Sequence, residues 1–274
     1  MGNPIGHSKS PRIHALFAAQ TNQLLQYTAI LVEPGNFPAA VEKFQLQGGK
    51  GLNITVPFKQ DAWSIANRCS VRAQRAGAAN TLVMEDDGSL FGDNTDGIGL
   101  IRDLVNNLGA TIKGRRVVLL GAGGAARGIV EPLLGQRPKL LVVANRTAEK
   151  AIDLARDFCD LGIIEGSDFS ALQNQKFNVV INATAAGLTG ATPALPSGML
   201  ANKAWCYDLM YGDRSTPFVR WAKQQGATHA VDGLGMLVEQ AAESFFVWRN
   251  VRPDTAKVIA TLNEERGQAA QRPA

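Results

Sequence analysis

Arg115-Arg116-Val117-Val118-Leu119-Leu120-Gly121-Ala122-Gly123-Gly124-Ala125-Ala126 is an apolar run that breaks into glycines and resumes with helix-forming residues. Read as strand, tight turn and helix, it sets bare backbone N–H groups at a helix N-terminus, where a pyrophosphate can sit. Gly121 permits the turn, Gly123 lets the backbone approach a ligand, and Ala126 stands where the dinucleotide fingerprint takes Gly or Ala. Ala122, Gly124 and Ala125 complete the candidate cofactor turn. A second strand is expected over residues 139–144, ending in Asn145-Arg146-Thr147. An NAD site would set a carboxylate there for the ribose 2′-hydroxyl. Here there is none, and Arg146 and Lys150 are cations suited to a 2′-phosphate. The expected cofactor is NADP.

Further strands are expected over residues 179–182, 205–209 and 228–231, alternating with helices. Such alternation makes a mostly parallel, doubly wound sheet covered on both faces. The expected fold is α/β: a substrate-binding and catalytic domain over residues 1–96, a bridging helix over 97–112, and a Rossmann-type domain over 113–234, with the active site in the cleft between the domains. Helices over about 235–265 would fold back on the first domain, and 268–274 reads as a flexible tail. Within the first domain, a helix over 10–20, a strand over 26–32, a helix over 36–47, a strand over 52–56 and a hairpin over 80–92 are expected.

The chain has 274 residues, 45% of them apolar, and carries a net charge of +4, which provides real cores and suits small anionic ligands. No dense basic stripe points to nucleic acid. No apolar run is long enough to cross a membrane, and no basic-then-apolar leader opens the chain. Cys69, Cys159 and Cys206 are too scattered for a disulfide frame, which fits a cytoplasmic protein. The expected partner is a small molecule, and the chain a monomer or homodimer. His7 and His14 lack a third ligand nearby and His229 reads as a strand-surface residue, so no metal is expected.

Lys59 breaks a local rule. Pro57 suits the first helical position, which puts Lys59 in the first turn, at the positive end of the helix dipole. Alone it is an exposed lysine tolerating a small penalty. Asn53 and Thr55 on the same strand-to-helix corner favour a lysine aimed into a cleft for proton transfer. Asp96, just before a helix, reads as an N-cap that could also pair with Lys59 across the cleft. Ser10 before Pro11 reads as an N-cap too. With Ser8 it also makes a carboxylate-binding corner. On the returning helix, Glu239, Gln240 and Glu243 alternate with an apolar face; most of them are expected to be solvated, and Gln240 could reach the cleft.

Taken together, these stretches resemble the shikimate dehydrogenase family. The runs that carry the likeness are Gly2-Asn3-Pro4-Ile5-Gly6-His7-Ser8-Lys9-Ser10-Pro11, Asn53-Ile54-Thr55-Val56-Pro57-Phe58-Lys59, Ala76-Gly77-Ala78-Ala79-Asn80-Thr81 and Gly92-Asp93-Asn94-Thr95-Asp96-Gly97, followed by the glycine turn, Asn145-Arg146-Thr147, Asn182-Ala183-Thr184 and Asp232-Gly233-Leu234-Gly235-Met236-Leu237. They fall in order across nearly the whole chain. The resemblance implies reversible reduction of 3-dehydroshikimate to shikimate by NADPH. It implies that Ser8 and Ser10 bind the substrate carboxylate and that Thr55, Asn80 and Gln240 hold ring hydroxyls, with Asn53 and Tyr211 close by. Lys59 and Asp96 would be the catalytic pair. Asn145, Arg146, Thr147 and Lys150 would clamp the adenosine phosphate, and Thr184, Leu209 and Gly233 would lie along the nicotinamide.

Two alternatives stay open: a quinate/shikimate dehydrogenase with broader substrate or NAD use, and a non-catalytic NADP sensor. The family pattern opens on a short apolar strand, whereas only Met1 precedes Gly2. Either the true start lies upstream or the first domain lacks most of one strand. Restoring an upstream apolar strand is expected to raise the melting temperature, and an unchanged melting temperature would count against that strand.

Overall fold

The structure, a computed structural model, describes residues 1–270. Its first domain contains α1 (Ser10–Thr21), α2 (Phe37–Leu46), β1 (Gly51–Asn53), α3 (Lys59–Ile65), β2 (Arg68–Cys69), α4 (Val71–Ala76), β3 (Thr81–Met84) and β4 (Leu90–Asp93). The strands form one sheet in the order β1-β3-β4-β2, antiparallel except where β2 meets β4. Phe37, Val41, Leu52, Phe58 and Leu82 fill the core beneath it. Residues 26–32 do not form the regular strand that their pattern suggests. Only Leu31 pairs, with Gly2, because the segment beside it turns away after Asn3.

α5 (Asp96–Ile101) continues through a π-helical turn, Arg102–Asn107, into the second domain. The bridging helix therefore ends before residue 112. β5 (Arg116–Leu120), α6 (Gly124–Gly135), β6 (Leu140–Ala144), α7 (Ala148–Asp157), β7 (Ile164–Ser167), β8 (Phe177–Asn182), β9 (Leu200–Asp208), α8 (Pro217–Gln224) and β10 (His229–Val231) follow. Their six strands are all parallel, in the order β10-β9-β8-β5-β6-β7. Strand order reverses between β5 and β8, so a crevice opens beyond their carboxyl ends, where doubly wound folds take nucleotides. Val117 and Leu119 point into one core while Val118 and Leu120 point into the other, which is why the strand reads as unbroken apolar sequence. β7 has no such run. Ile164-Glu165-Gly166-Ser167 is a short, mixed edge strand, and it escaped the pattern for that reason.

α9 (Leu234–Arg249) and α10 (Thr255–Ala270) return to the first domain, where Ile13 and Phe17 of α1 pack on Val238 and Phe245 of α9. α10 runs into the stretch read as a tail; residues 271–274 lie outside the described residues. Glu239 and Glu243 of α9 are buried rather than solvated, because each finds partners there: Asn107 donates to Glu239 at 2.9 Å, and Glu243 receives Arg102 and Arg252 at 2.8 Å and Arg72 at 3.3 Å. Burial pulls its carboxyl upward, but the hydrogen bonds and charges of those arginines prevail and hold it below the usual range. α9 also crosses α5 with almost no gap. A Cβ on Gly99 would come within 2.7 Å of the Gln240 backbone nitrogen. Gly99→Ala should therefore wedge the helices apart and lower unfolding stability by about 1–3 kcal/mol, measured by urea denaturation. A change within about 0.5 kcal/mol would show that the crossing is loose.

Candidate active site

The strand-to-helix corner after β1 turns differently from the expected helix start at Pro57. Phe58 N–H closes a turn on the Thr55 carbonyl at 3.1 Å, and the helix opens at Lys59. Lys59 is thus the first residue of α3, and Asp96 the first of α5 rather than its cap. The two helix starts face each other, and Lys59 Nζ donates to Asp96 Oδ2 at 2.5 Å. The ammonium is 15% exposed and the carboxylate 8%. An anion suits the start of α5, while the cation at the start of α3 is offset by that anion. A pair this enclosed adds little net stability, so its position calls for a chemical reason.

Asn80 anchors the carboxylate from behind. Its two amide N–H groups are shared among Asp96 Oδ1 at 2.8 Å, Thr95 Oγ1 at 2.9 Å and Gln240 Oε1 at 3.2 Å. Its own Oδ1 accepts from Thr95 N–H at 2.9 Å. With one ammonium proton spent on Asp96, Lys59 has two left without a partner among the described residues. Both groups line a cleft of about 260 Å³ between the domains.

Ser8 and Ser10 line this cleft. Ser10 is the first residue of α1, not its N-cap, and its N–H donates to Ser8 Oγ at 3.3 Å. Thr55, Asn53, Gln240 and Tyr211 also line it. Burial pushes the Tyr211 phenol up, with a smaller opposing pull from the Lys9 backbone. Asn53 receives the Tyr27 hydroxyl at 3.0 Å and donates to Ser244 Oγ at 2.9 Å. Sequence reasoning missed Tyr27 and Ser244. For Ser244 a signal existed: it lies one helical turn from Gln240 on α9, hence on the same face.

On the second-domain side, Ala125, Thr184, Leu209 and Gly233 line the cleft. Thr184 is held by Asn182, whose Oδ1 accepts from its hydroxyl at 2.8 Å, and Asn182 is in turn fixed to Asp208 at 2.9 Å. The remaining cofactor candidates sit outside the cleft wall, along the ends of β5 and β6. Gly121 adopts φ +104°, and a Cβ there would press on the Ala183 carbonyl at 3.0 Å. A Cβ on Gly123 or Gly124 would meet nothing within 4 Å, so the turn faces open space at the N-terminus of α6. Ala122 lies within that turn, after β5. Asn145 folds back on the Thr147 carbonyl at 2.9 Å. Arg146 and Lys150 are exposed, and neither pairs with a carboxylate among the described residues. An open turn flanked by two free cations fits a dinucleotide bearing an extra phosphate.

The chain matches three family models: the shikimate dehydrogenase substrate binding domain over residues 1–82, shikimate / quinate 5-dehydrogenase over 103–203 and the shikimate 5′-dehydrogenase C-terminal domain over 233–262. It is 54% identical to the shikimate dehydrogenase (NADP(+)) of Nitrosococcus oceani, over 97% of this chain and 94% of that one. The chain belongs to the shikimate dehydrogenase family. A second relative, the shikimate dehydrogenase (NADP(+)) of Methylococcus capsulatus, is 56% identical over 98% of this chain and 96% of its own. Among solved structures, shikimate 5-dehydrogenase from Thermus thermophilus, in complex with NADP(H) and shikimate, superposes with TM-score 0.84 at 29% identity, covering 96% of this chain and 97% of that one.

Arg146→Ala should raise KM for NADP+ at least tenfold while leaving KM for NAD+ nearly unchanged, since only the former carries the extra phosphate. Equal changes with both cofactors would show that Arg146 does not read that phosphate.

Proposed function

We propose that this chain interconverts 3-dehydroshikimate and shikimate, with NADP as the redox cofactor, as an oxidoreductase acting on a CH–OH group in aromatic amino-acid biosynthesis. The observation that carries the reading is the Lys59–Asp96 pair, set at 2.5 Å in a cleft that Ser8 and Ser10 line together with Ala125 of α6, the helix that follows the glycine turn. NADPH, when bound, supplies the hydride.

The chain's own residues supply the rest. Reduction of a ring carbonyl leaves an oxygen that needs a proton from a group in hydrogen-bond reach. Lys59 gives that proton, and in the reverse direction takes it back. Asp96 keeps the amine oriented between turnovers, and Asn80 keeps Asp96 from swinging. Ser8 and Ser10 receive the substrate carboxylate, while Thr55, Asn80 and Gln240 pair with ring hydroxyls, each of which needs a partner once out of water. Asn53 and Tyr211 border the same space. Thr184, Leu209 and Gly233 flank the nicotinamide, Gly121, Ala122, Gly123, Gly124 and Ala125 cradle the pyrophosphate, and Asn145, Arg146, Thr147 and Lys150 hold the adenosine phosphate.

Among the described residues no helix is long and apolar enough to cross a membrane. The three cysteines are free, which supports work in the reducing cytoplasm.

The test is NADPH formation from shikimate by the purified protein. Lys59→Ala should lower kcat by roughly 10²–10⁴-fold while the Kd for NADPH stays within about twofold. A variant that keeps wild-type kcat would remove Lys59 from the chemistry.

A further inference from the structure

His14 of α1 has no exposed surface, and neither ring nitrogen closes a hydrogen bond. Buried polar atoms without partners are few in folded proteins, and one beside an active site asks for an explanation. Burial lowers its pKa to about 3, so the ring is neutral and carries a single N–H. Its neighbours are aromatic. Tyr27 stacks on it at 4.2 Å and 7°, Trp248 lies at 5.3 Å, and Phe17 meets it edge-on at 5.8 Å. Asn53, which accepts from the Tyr27 phenol stacked on the imidazole, favours a proton on the ring, against the larger effect of burial.

Tyr27 connects this buried ring to the cleft. Its phenol lines the cleft, donates to Asn53 Oδ1 at 3.0 Å, and interacts with the Ser10 hydroxyl. Ser10 and His14 are four residues apart on α1, hence on one face. A phenol has one proton to donate. At present Asn53 takes it. A carboxylate at the Ser8/Ser10 corner would compete for that proton, and a charged acceptor wins over an amide. Asn53 Oδ1 would then lose its donor in a half-buried setting, with the substrate covering the cleft beside it, unless another N–H replaced it.

We propose that His14 is a positioning residue for substrate binding: its ring supports the Tyr27 phenol, and its N–H takes over Asn53 Oδ1 when the phenol proton turns to the substrate carboxylate. The inference rests on the substrate reading above. His14 touches no substrate; it keeps Asn53 satisfied in both states, so that Tyr27 can change partner without loss.

Three variants test it: His14→Phe, which keeps an aromatic ring and removes both nitrogens, Tyr27→Phe, and the double variant. His14→Phe should raise KM for shikimate about tenfold, the size of one charge-assisted hydrogen bond, without moving KM for NADP+. The double variant should match Tyr27→Phe in KM for shikimate, because without the phenol proton there is nothing for His14 to replace. An unchanged KM in His14→Phe, or effects that multiply in the double variant, would overturn the proposal. Should His14→Phe fail to fold, ¹⁵N NMR of the wild type decides. The ring signal of His14, assigned by through-bond correlation to its backbone amide, should show a strengthened ring N–H hydrogen bond on adding shikimate, and an unchanged signal would sink the idea. Wild-type turnover of shikimate is the control: its absence would overturn the reading of the site rather than the role of His14.

Discussion

A lysine at the positive end of a helix and an aspartate at the start of another are held together where the two domains meet, and the geometry of the site depends on that contact. Each group alone would be poorly placed so far from water. Together, with Asn80 on the free carboxylate oxygen, they form a satisfied unit that still has ammonium protons to offer. Lys59 opens the helix that follows β1 of the first sheet, and Asp96 opens the helix that leads to the parallel sheet.

The return of α9 makes this arrangement durable. It comes back from the second domain, crosses α5 at Gly99, presents Gln240 to Asn80 and Ser244 to Asn53, and holds three arginines on Glu243. Polar groups of Asn53, Asn80, Thr95, Asp96, Gln240 and Ser244 are thereby joined in one largely buried network. Such networks specify a unique geometry more than they add stability, which is what a proton-transfer site requires.

Much of this was legible in the chain. The Leu120-to-Gly123 break announced a parallel sheet because a strand buried on both faces must be apolar throughout. The absence of an acidic residue after β6, with Arg146 in its place, pointed to the cofactor's extra phosphate. Lys59 stood out because it contradicts the helix dipole. Other features stayed hidden for physical reasons. β7 is a mixed edge strand, with no alternation to read. Ser10 and Asp96 looked like caps, yet both sit one position inside their helices, a distinction that depends on backbone angles at Lys9 and Thr95. Tyr27 became visible only through its hydrogen bond to Asn53 and its stack on His14, contacts of an irregular segment that no local pattern encodes.

The central claim is that Lys59 and Asp96 face the carbon–oxygen bond being reduced. The most direct measurement is a crystal structure of the protein with shikimate and NADP+ bound together. The account predicts Lys59 Nζ within about 3.2 Å of the hydroxyl that is oxidised, with Asp96 beside it. An ammonium turned to bulk solvent, with another group on that hydroxyl, would contradict it.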